Sequence, residues 1–488
     1  MIINSEEFTA LLPFLILIST VILVMLSIAY RRNHCFVAVS STLGLLCSFF
    51  SLFLVNTVLP RHITTLFYVT KYSIFYMGIV LLSSIISCIF AYSWLYKYRL
   101  NKEEFYLLIL FSTLGAIGLI ISDHFSSLFV SIELISLPIF GLIFYSHYYK
   151  YALEATLKYI ILSSVSSSFL LLGIAWIYAI SGSLSLSAMH QVLNIEFLNS
   201  QFVIFFGLFM VFFSLFFKLS IVPFHIWIAD IYQGTPALVL SFFSNAAKIS
   251  IVVFMVHFFS YCSLENHETL YALIFLMIFL SIILGNLMAI IQNNIKRLFG
   301  YTAISQLGYL LIALLVLKNH YFFSLEAIGI GLVSYFFANI SFFGSIALVS
   351  NPNYLKDIDL MTSYRGLFWT QPILSGILTI VYLSLAGVPF TLGFISKFYI
   401  LSIIIQNHLW VLGVSFFIGS VLGFYCYLRL IINFYLKPVK LLQNNIKLSS
   451  KWMYTFSGII IIISGIILLI LGIYPNPLIY LVQSAVYV

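Results

Sequence analysis

The stretch KLSIVPF, residues 218–224, places a lysine and a proline inside a long apolar run. LSLAGVPF, residues 383–390, repeats its Leu-Ser and Val-Pro-Phe elements inside a second apolar run. A proline within a helix removes one backbone hydrogen bond and clashes with the preceding turn. In hydrocarbon the freed carbonyl groups need partners from protein or from water, so such a break faces protein or a wet cavity. The two stretches therefore predict two broken helices.

The composition predicts a protein that crosses a membrane many times. Hydrophobic residues make up 62% of the 488 residues, charged residues only 7%, and the mean hydropathy is +1.13. A soluble domain carries about 25% charged residues. The formal net charge is +8, but the basic residues lie in short loops, which argues against nucleic-acid binding. Residues 8–30 lack a basic n-region and a cleavage site, so we expect them to remain as the first span.

Apolar windows along the chain predict an all-α fold with about fourteen membrane-spanning helices, since roughly 20 residues are needed to cross the hydrocarbon core. The twelfth window is too long for one straight helix. The predicted spans are residues 8–30, 35–55, 73–95, 105–122, 124–146, 155–181, 201–226, 234–260, 268–291, 298–317, 325–349, 371–404, 408–434 and 453–474.

The basic residues predict the orientation of these spans. Cytoplasmic loops carry an excess of Lys and Arg. Three basic residues follow even-numbered spans: Arg61, Lys71 and Lys318. Fourteen follow odd-numbered spans: Arg31, Arg32, Lys97, Arg99, Lys102, Lys150, Lys296, Arg297, Lys356, Arg365, Lys437, Lys440, Lys447 and Lys451. Both termini are therefore expected to face the periplasm.

The two broken stretches lie in spans 7 and 12, which are an odd number of spans apart and so run in opposite directions. Broken helices in opposed halves are typical of transporters built from inverted repeats. We predict N-terminal helices over 1–100 and a first five-helix repeat over 101–262. A second, inverted five-helix repeat follows over 263–434, and a C-terminal loop and helix occupy 435–488.

Four charged residues are predicted near mid-membrane: Glu133, Lys218, Lys248 and Lys397. A charge there costs at least about 2.5–3.5 kcal/mol, so such residues usually mark a functional path. A desolvated lysine binds its proton less tightly and a nearby carboxylate restores the affinity, which favours a proton relay. The alternative is a set of structural ion pairs that fix helix packing.

Smaller polar groups between these charges are candidates to hold water, although small residues also serve helix packing. His225, beside the first break, is a further relay candidate, with a hydrogen-bonded structural role as the alternative. His257 is interpreted as a tolerated interfacial residue. The other candidates are SSVSSS at 163–168, Ser244, Asn245, Asn286, Ser305, Gln306 and Asn339.

No bound cofactor or metal is expected. The five cysteines occur singly, without a CxxC pair, and the ten histidines show no i, i+4 pair. Neither GxGxxG nor a P-loop is present, so nucleotide binding is unsupported.

Several long motifs resemble one family. SIELISLPIFGLI (131–143), KLSIVPFHIWIADIYQGTP (218–236), NIKRLFGYTAISQLGYLL (294–311) and LAGVPFTLGFISKFYI (385–400) are similar to the subunit N family of bacterial NADH-quinone oxidoreductase, respiratory complex I. The resemblance covers about residues 100–430. The family is also similar to the large subunits of multisubunit cation/proton antiporters and membrane-bound hydrogenases.

The resemblance implies a proton-translocating subunit in the bacterial inner membrane, surrounded by phospholipid and by other membrane-arm subunits. It implies that NADH, flavin, iron–sulfur clusters and quinone belong to those other subunits, so this chain does no redox chemistry itself. The family's key glutamate falls on Glu133, its lysines of helices 7 and 8 fall on Lys218 and Lys248, and its helix 12 residue falls on Lys397. Some relatives carry His where this chain has Gln306, which cannot titrate, so we expect a water link there.

Two other functions stay open at this point. The first is a subunit of a cation/proton antiporter or hydrogenase complex; Na⁺-dependent transport would favour it. The second is a passive scaffold between membrane subunits, for which neutralising the charged residues would leave turnover intact.

Overall fold

A computed structural model describes residues 5–96, 101–146, 151–193, 198–261, 268–350, 357–438 and 452–486, with the side chains of 190–202 left aside. Cys262 and seven of the basic residues counted for orientation (Lys97, Arg99, Lys150, Lys356, Lys440, Lys447 and Lys451) lie outside these ranges.

The described chain is almost entirely helical, with one small antiparallel hairpin formed by β1 (Arg61–Ile63) and β2 (Phe67–Val69). The helices of the first half are α1 Ser5–Tyr30, α2 His34–Val55, α3 Lys71–Tyr96, α4 Glu103–Ile120, α5 Phe125–Phe144, α6 Ala152–Ser181, α7 Leu186–Leu193, α8 Leu198–Leu219, α9 Ile226–Gly234, α10 Ala237–Phe242 and α11 Lys248–Tyr261. Those of the second half are α12 Glu268–Ile291, α13 Ile295–Leu315, α14 Tyr321–Val349, α15 Leu367–Thr370, α16 Pro372–Ala386, α17 Leu392–Gln406, α18 Trp410–Tyr435, α19 Phe456–Ile473 and α20 Asn476–Val486.

The structure confirms a many-spanning helical fold. Among the described residues, 12 helices are long and apolar enough to cross a membrane, and three shorter apolar helices occupy Val203–Leu219, Pro372–Ala386 and Leu392–Gln406. The narrow gap between the fourth and fifth predicted spans is correct, since α4 ends at Ile120 and α5 begins at Phe125. The count of fourteen, the inverted repeat and the domain boundaries stay predictions.

Both predicted helix breaks are present. The first separates α8 from α9 over residues 220–225, which confirms the break predicted inside the span at 201–226. The second separates α16 from α17 over residues 387–391. Gly387 caps α16 in the left-handed conformation, at φ 80°, which glycine adopts without a steric penalty. Each break contains the Pro-Phe pair that the two quoted stretches have in common.

The helix that carries Lys248 contains a turn that the sequence did not predict. Residues Phe243–Ala247 form a π-helical turn between α10 and α11, and Lys248 follows it directly. Such turns are frequent at functional sites because they insert a residue and rotate the side chains around them. All five of its residues are buried, so the irregular backbone faces protein rather than lipid.

Candidate functional site

Lys218 is buried in the last turn of α8, at the edge of the first break. Its ammonium group donates a hydrogen bond to Ser163 Oγ on α6. The charge of Glu133 on α5 acts on Lys218, but no Glu133 carboxylate oxygen lies within 4.0 Å of the Lys218 ammonium group. The carboxylate instead accepts a bond from Ser136 at 3.3 Å. Glu133 and Lys218 thus lie in one electrostatic neighbourhood with their direct pair open.

Glu133 lies toward the outer surface of the bundle. Its side chain is half-buried, and Val130 and Leu137, one turn before and after it, are exposed at 60% and 59%. Its Oε1 atom is buried without a hydrogen-bond partner in the described part of the chain. An unpartnered buried acceptor is costly, so Glu133 has an unfilled capacity for a proton, a water molecule or a donor from outside.

The serine run at 163–168 contributes mainly through Ser163. Ser163 and Ser166 are buried, whereas Ser164 and Ser168 are exposed. Ser164, Ser166, Ser167 and Ser168 each donate to a backbone carbonyl of their own helix. The run as a whole therefore does not line an internal water path, and its functional contact is the bond between Ser163 and Lys218.

Lys248 is the most isolated of the four charges. It is 1% exposed, and its Nζ has no hydrogen-bond partner within the described residues. The Tyr232 ring lies beneath it, with 5.4 Å between Nζ and the ring centroid. The preceding π-helical turn carries Ser244 and Asn245, both fully buried. A lysine without a fixed partner at this depth is suited to gain and lose a proton.

A polar path leads from the π-helical turn toward the second break. Asn245 Oδ1 accepts a bond of 2.9 Å from Asn339 Nδ2 on α14. One turn earlier on α14, Tyr335 borders a small cavity of about 20 Å³, close to the volume that one water molecule needs. Gln306, Tyr309, Ser384 and Ser396 also line this cavity. Of the side chains predicted to hold water in the second half, Gln306 lines this cavity, whereas Asn286, Ser305 and Asn339 do not.

Lys397 on α17 bonds to the backbone that the second break exposes. Its Nζ donates to the Ala386 carbonyl at 2.8 Å, and Gln306 Nε2 donates to the preceding carbonyl, Leu385, at 3.0 Å. Lys397 also lines a second cavity of about 330 Å³ that opens between α17 and α18, where Phe398 and Phe424 are exposed. Gln306 therefore holds the broken helix end beside the lysine rather than titrating.

Both breaks create a helix C-terminus inside the bundle, and a lysine is associated with each. Lys218 lies in the last turn of α8, and the Lys397 ammonium caps the last turn of α16. The last carbonyls of a helix carry partial negative charge, which favours a cation within that turn. Each break thus supplies a negative helix end that partly offsets the cost of burying a lysine.

Asn286 on α12 and Ser305 on α13 form a hydrogen-bonded pair. Ser305 donates to Asn286 Oδ1 at 3.2 Å, and Asn286 Nδ2 donates to the Ile282 carbonyl at 2.8 Å.

His225 lies in the first break just before α9, half-buried, with Nδ1 buried and unpartnered among the described atoms. His225 therefore has a ring nitrogen free to exchange a proton, as its candidate role requires.

Two polar clusters escaped sequence reasoning because their members are distant in the chain. In the first, Tyr68 of the hairpin stacks between His62 and His257, with centroid distances of 4.0 and 6.0 Å. Asp123 lies 3.8 Å from His62. Burial raises the pKa of the Asp123 carboxyl and the His62 ring opposes that shift. His257 is thus a packed member of this cluster.

The second cluster joins the segment after the first break to the second half of the chain. Lys296 and Asp357 form a buried ion pair at 2.6 Å, and Lys296 also donates to the Thr235 carbonyl at 2.7 Å. Nearby, Asp230 accepts from Lys158 at 2.6 Å and from Arg297 at 2.9 Å. Lys296 was expected in a loop, but the structure buries it completely.

The chain matches known proteins over nearly its whole length. The family model "NADH:quinone oxidoreductase/Mrp antiporter, TM" matches residues 122–423. "NADH-quinone oxidoreductase subunit N" of Buchnera aphidicola subsp. Schizaphis graminum is 57% identical, over 99% of this chain and 100% of the relative. The chain belongs to the subunit N family of NADH-quinone oxidoreductase. The corresponding protein of Buchnera aphidicola subsp. Acyrthosiphon pisum is 55% identical over 100% of each chain.

Solved structures agree with this membership. A chain of respiratory complex I from Thermus thermophilus with bound aureothin superposes with a TM-score of 0.80 at 25% identity, covering 96% of this chain and 98% of that one. The Mrp complex from Dietzia sp. DQ12-45-1b contains a chain with a TM-score of 0.82 at 15% identity, covering 98% and 97%. The second likeness concerns the fold alone. The subunit N family is thus an antiporter-like, proton-pumping membrane family.

Proposed function

We propose that Glu133, Lys218, Lys248 and Lys397 carry the protons that this subunit of complex I moves across the bacterial membrane. The observation that supports this most directly is the pair of helix breaks, each with a lysine at an internal helix C-terminus. Lys218 and Lys248 are buried, whereas Glu133 and Lys397 are partly exposed at the surface of the bundle. A purely structural set would be expected to form closed ion pairs, and these four residues form none in the described chain.

The first step is the control of Lys218 by Glu133. When the carboxylate approaches, it favours the protonated lysine; when it withdraws toward Ser136, the lysine binds its proton less tightly. At about 5 Å and an effective dielectric constant near 20, the attraction is on the order of 3 kcal/mol, about a hundredfold in the proton equilibrium. Movement of one carboxylate by a few ångströms is therefore sufficient to load and release a proton.

The later steps carry the proton from Lys218 to Lys248 and then to Lys397. His225 and water lie on the first part of this path. The hydrogen-bonded amides Asn245 and Asn339 and one water in the cavity at Tyr335 serve the second part. Quinone reduction in other subunits supplies the energy, and NADH, flavin and iron–sulfur clusters stay with those subunits. The chain itself acts as the translocase part of the enzyme.

Replacing Lys248 tests this function, since its ammonium has no structural bond to lose. In the assembled complex reconstituted in vesicles, Lys248→Met is expected to abolish most NADH-driven proton pumping. Lys318→Met, at an exposed lysine, is the matched control and should pump normally. Normal pumping by a fully assembled Lys248→Met complex would mean that Lys248 carries no proton.

The loop charges support an orientation with both termini in the periplasm. α20 packs against α14 near Glu326, where Gln483 donates to the Glu326 carboxylate at 3.1 Å. A reporter fused after Val488 should be active only in the periplasm. Activity in the cytoplasm would overturn the orientation.

A further inference from the structure

Lys248 and Lys397 each lie over a tyrosine ring. Lys248 Nζ is 5.4 Å from the Tyr232 centroid, and Lys397 Nζ is 5.4 Å from the Tyr309 centroid. A cation within about 6 Å of such a centroid is attracted by the negative face of the ring, more strongly when water is absent. In the described chain neither ammonium has a carboxylate oxygen within 4.0 Å. For Lys248 the ring thus takes the place of a counter-charge, and for Lys397 it adds to the bond with the Ala386 carbonyl.

We propose that Tyr232 and Tyr309 are positioning residues for proton transfer, whose ring faces hold the protonated forms of Lys248 and Lys397. The proposal rests on the proposed function, since it assigns a tuning group to two of the relay lysines. It also explains a difference along the path. Lys218 has the field of Glu133, whereas the two later lysines have a fixed aromatic face instead.

The rings are held firmly in place. Tyr232 is 0% and Tyr309 2% exposed. The Tyr309 ring packs edge-on against Phe416, with 5.2 Å between centroids, and its hydroxyl accepts one long bond of 3.4 Å from Asn286. Because the hydroxyl makes so little contact, the ring rather than the hydroxyl is the active part of the side chain.

Other charged side chains on the helices around α17 have partners elsewhere. These helices are α13, α14, α16, α18 and α19. Their charged residues pair with other groups: Lys296 with Asp357, Arg297 with Asp230, Glu326 with Gln483, and Arg429 with the Ile290 carbonyl. The other buried titratable groups described on these helices, apart from Tyr309 itself, are uncharged phenols and a thiol: Tyr301, Tyr335, Tyr382, Tyr427 and Cys426. A change at the Tyr309 ring therefore acts on Lys397 without a competing charge.

The sign of the expected effect follows from this. The ring favours the protonated lysine, so its loss lets Lys397 release its proton at lower pH. The alkaline limb of the pumping profile should then move down by about one pH unit, a tenfold loss of proton binding. Phe keeps the ring and should behave as the wild type.

The test compares Tyr309→Phe and Tyr309→Leu in the assembled complex, measuring the pH profile of NADH-driven pumping in vesicles. Tyr382→Leu is the matched control, because Tyr382 is a buried tyrosine on α16 that stacks with Tyr427 and Phe434 and lies over no lysine. We expect a downward shift for Tyr309→Leu alone. At the other lysine, Tyr232→Leu should lose pumping and Tyr232→Phe should retain it.

A further variant removes the concern that leucine perturbs folding. Tyr309→pentafluorophenylalanine keeps the size of the ring but reverses the charge of its face, and it should shift the profile at least as far as leucine does. Equal losses for Phe and Leu would assign the role to the hydroxyl and overturn the proposal. So would an unchanged profile for Leu and the fluorinated ring.

Lys397→Met separates this proposal from the function on which it rests. If Lys397→Met abolishes pumping while all ring variants pump normally, the proton relay is supported and the role of the tyrosine rings is rejected. If Lys397→Met pumps normally, Lys397 is not part of the relay, and the role proposed for Tyr309 is rejected with it.

Discussion

The two helix breaks share a Val-Pro-Phe sequence but use their lysines differently. At the first break Lys218 precedes the interruption and bonds to a side chain of another helix, Ser163. At the second, Lys397 follows the interruption and bonds to the Ala386 carbonyl that the break itself frees. The first lysine therefore bonds to a side chain of a neighbouring helix and lies in the field of Glu133, whereas the second bonds to backbone.

This difference assigns different work to the two halves. A carboxylate on a neighbouring helix changes its distance when helices move, so the first break is suited to receive a conformational signal. A carbonyl in the same broken helix moves together with its lysine, so the second break is suited to hold a proton at a constant affinity. The π-helical turn before Lys248 lies between them and adds a third irregular backbone segment.

The largest expected effect concerns the ion pair that joins the segment after the first break to the second half of the chain. Lys296 and Asp357 are 1% and 9% exposed, and Asp357 also accepts from the Ala237 amide at 2.8 Å. Asp357→Leu leaves the Lys296 ammonium buried without its counter-charge, which costs about 3–5 kcal/mol. We expect little assembled complex and a lower Tm.

The exposed pair of Arg61 and Glu6 is the control for Asp357→Leu, since both side chains are about half exposed. Glu6→Gln should cost at most about 1 kcal/mol. If Asp357→Leu assembles and unfolds as the wild type does, this pair does not hold the segment after the first break to the second half of the chain.

The next effect distinguishes the second break from the first. Gly387 has φ 80°, and a Cβ atom there would stand 2.6 Å from Lys397 Cδ. Gly387→Ala adds about 1–2 kcal/mol of backbone strain and displaces the lysine. Pumping should fall more than tenfold in a complex that still assembles. Gly376→Ala on α16, where the added methyl group meets open space, should leave pumping unchanged. Similar losses of pumping in the two variants would mean that the backbone conformation at Gly387 does not position Lys397.

A smaller difference is expected between two polar side chains, Gln306 at the second break and Ser163 at the first. Gln306→Leu leaves the Leu385 carbonyl without its donor, a penalty of about 1–3 kcal/mol, and should lower pumping roughly tenfold. Ser163→Ala should cost only about two- to threefold, because Glu133 still acts on Lys218. Initial rates of proton uptake by vesicles measure both. The reverse order would mean that the first break depends more on fixed bonds than the second.

The sequence was sufficient to predict the broken helices, since proline in an apolar span has one main backbone consequence. It also singled out four charged residues in apolar segments, because an isolated charge in hydrocarbon is costly, and their role in proton transfer stays a prediction. It did not predict the π-helical turn at 243–247, whose residues are ordinary helix residues. Nor did it predict that Gln306 and Lys397 bond to consecutive carbonyls of the broken helix, since these contacts depend on how α13 and α17 pack around the end of α16.

Charge position was the other limit of sequence reasoning. Lys296 counts as a loop residue by hydropathy, yet it is buried against Asp357, sixty-one residues farther along the chain. The stacking of Tyr68 between His62 and His257 likewise joins a hairpin to a distant helix end. Contacts of this kind become visible only when the helices are packed.

The central claim is that the charge of Glu133 controls Lys218, and two substitutions test it directly. Glu133→Asp keeps the charge and shortens the side chain by one methylene group, whereas Glu133→Gln keeps the shape and removes the charge. With assembly verified for both, NADH-driven proton pumping in vesicles should be largely retained by Glu133→Asp and mostly lost in Glu133→Gln. Full coupled pumping by an assembled Glu133→Gln complex, or a greater loss in Glu133→Asp, would contradict the account.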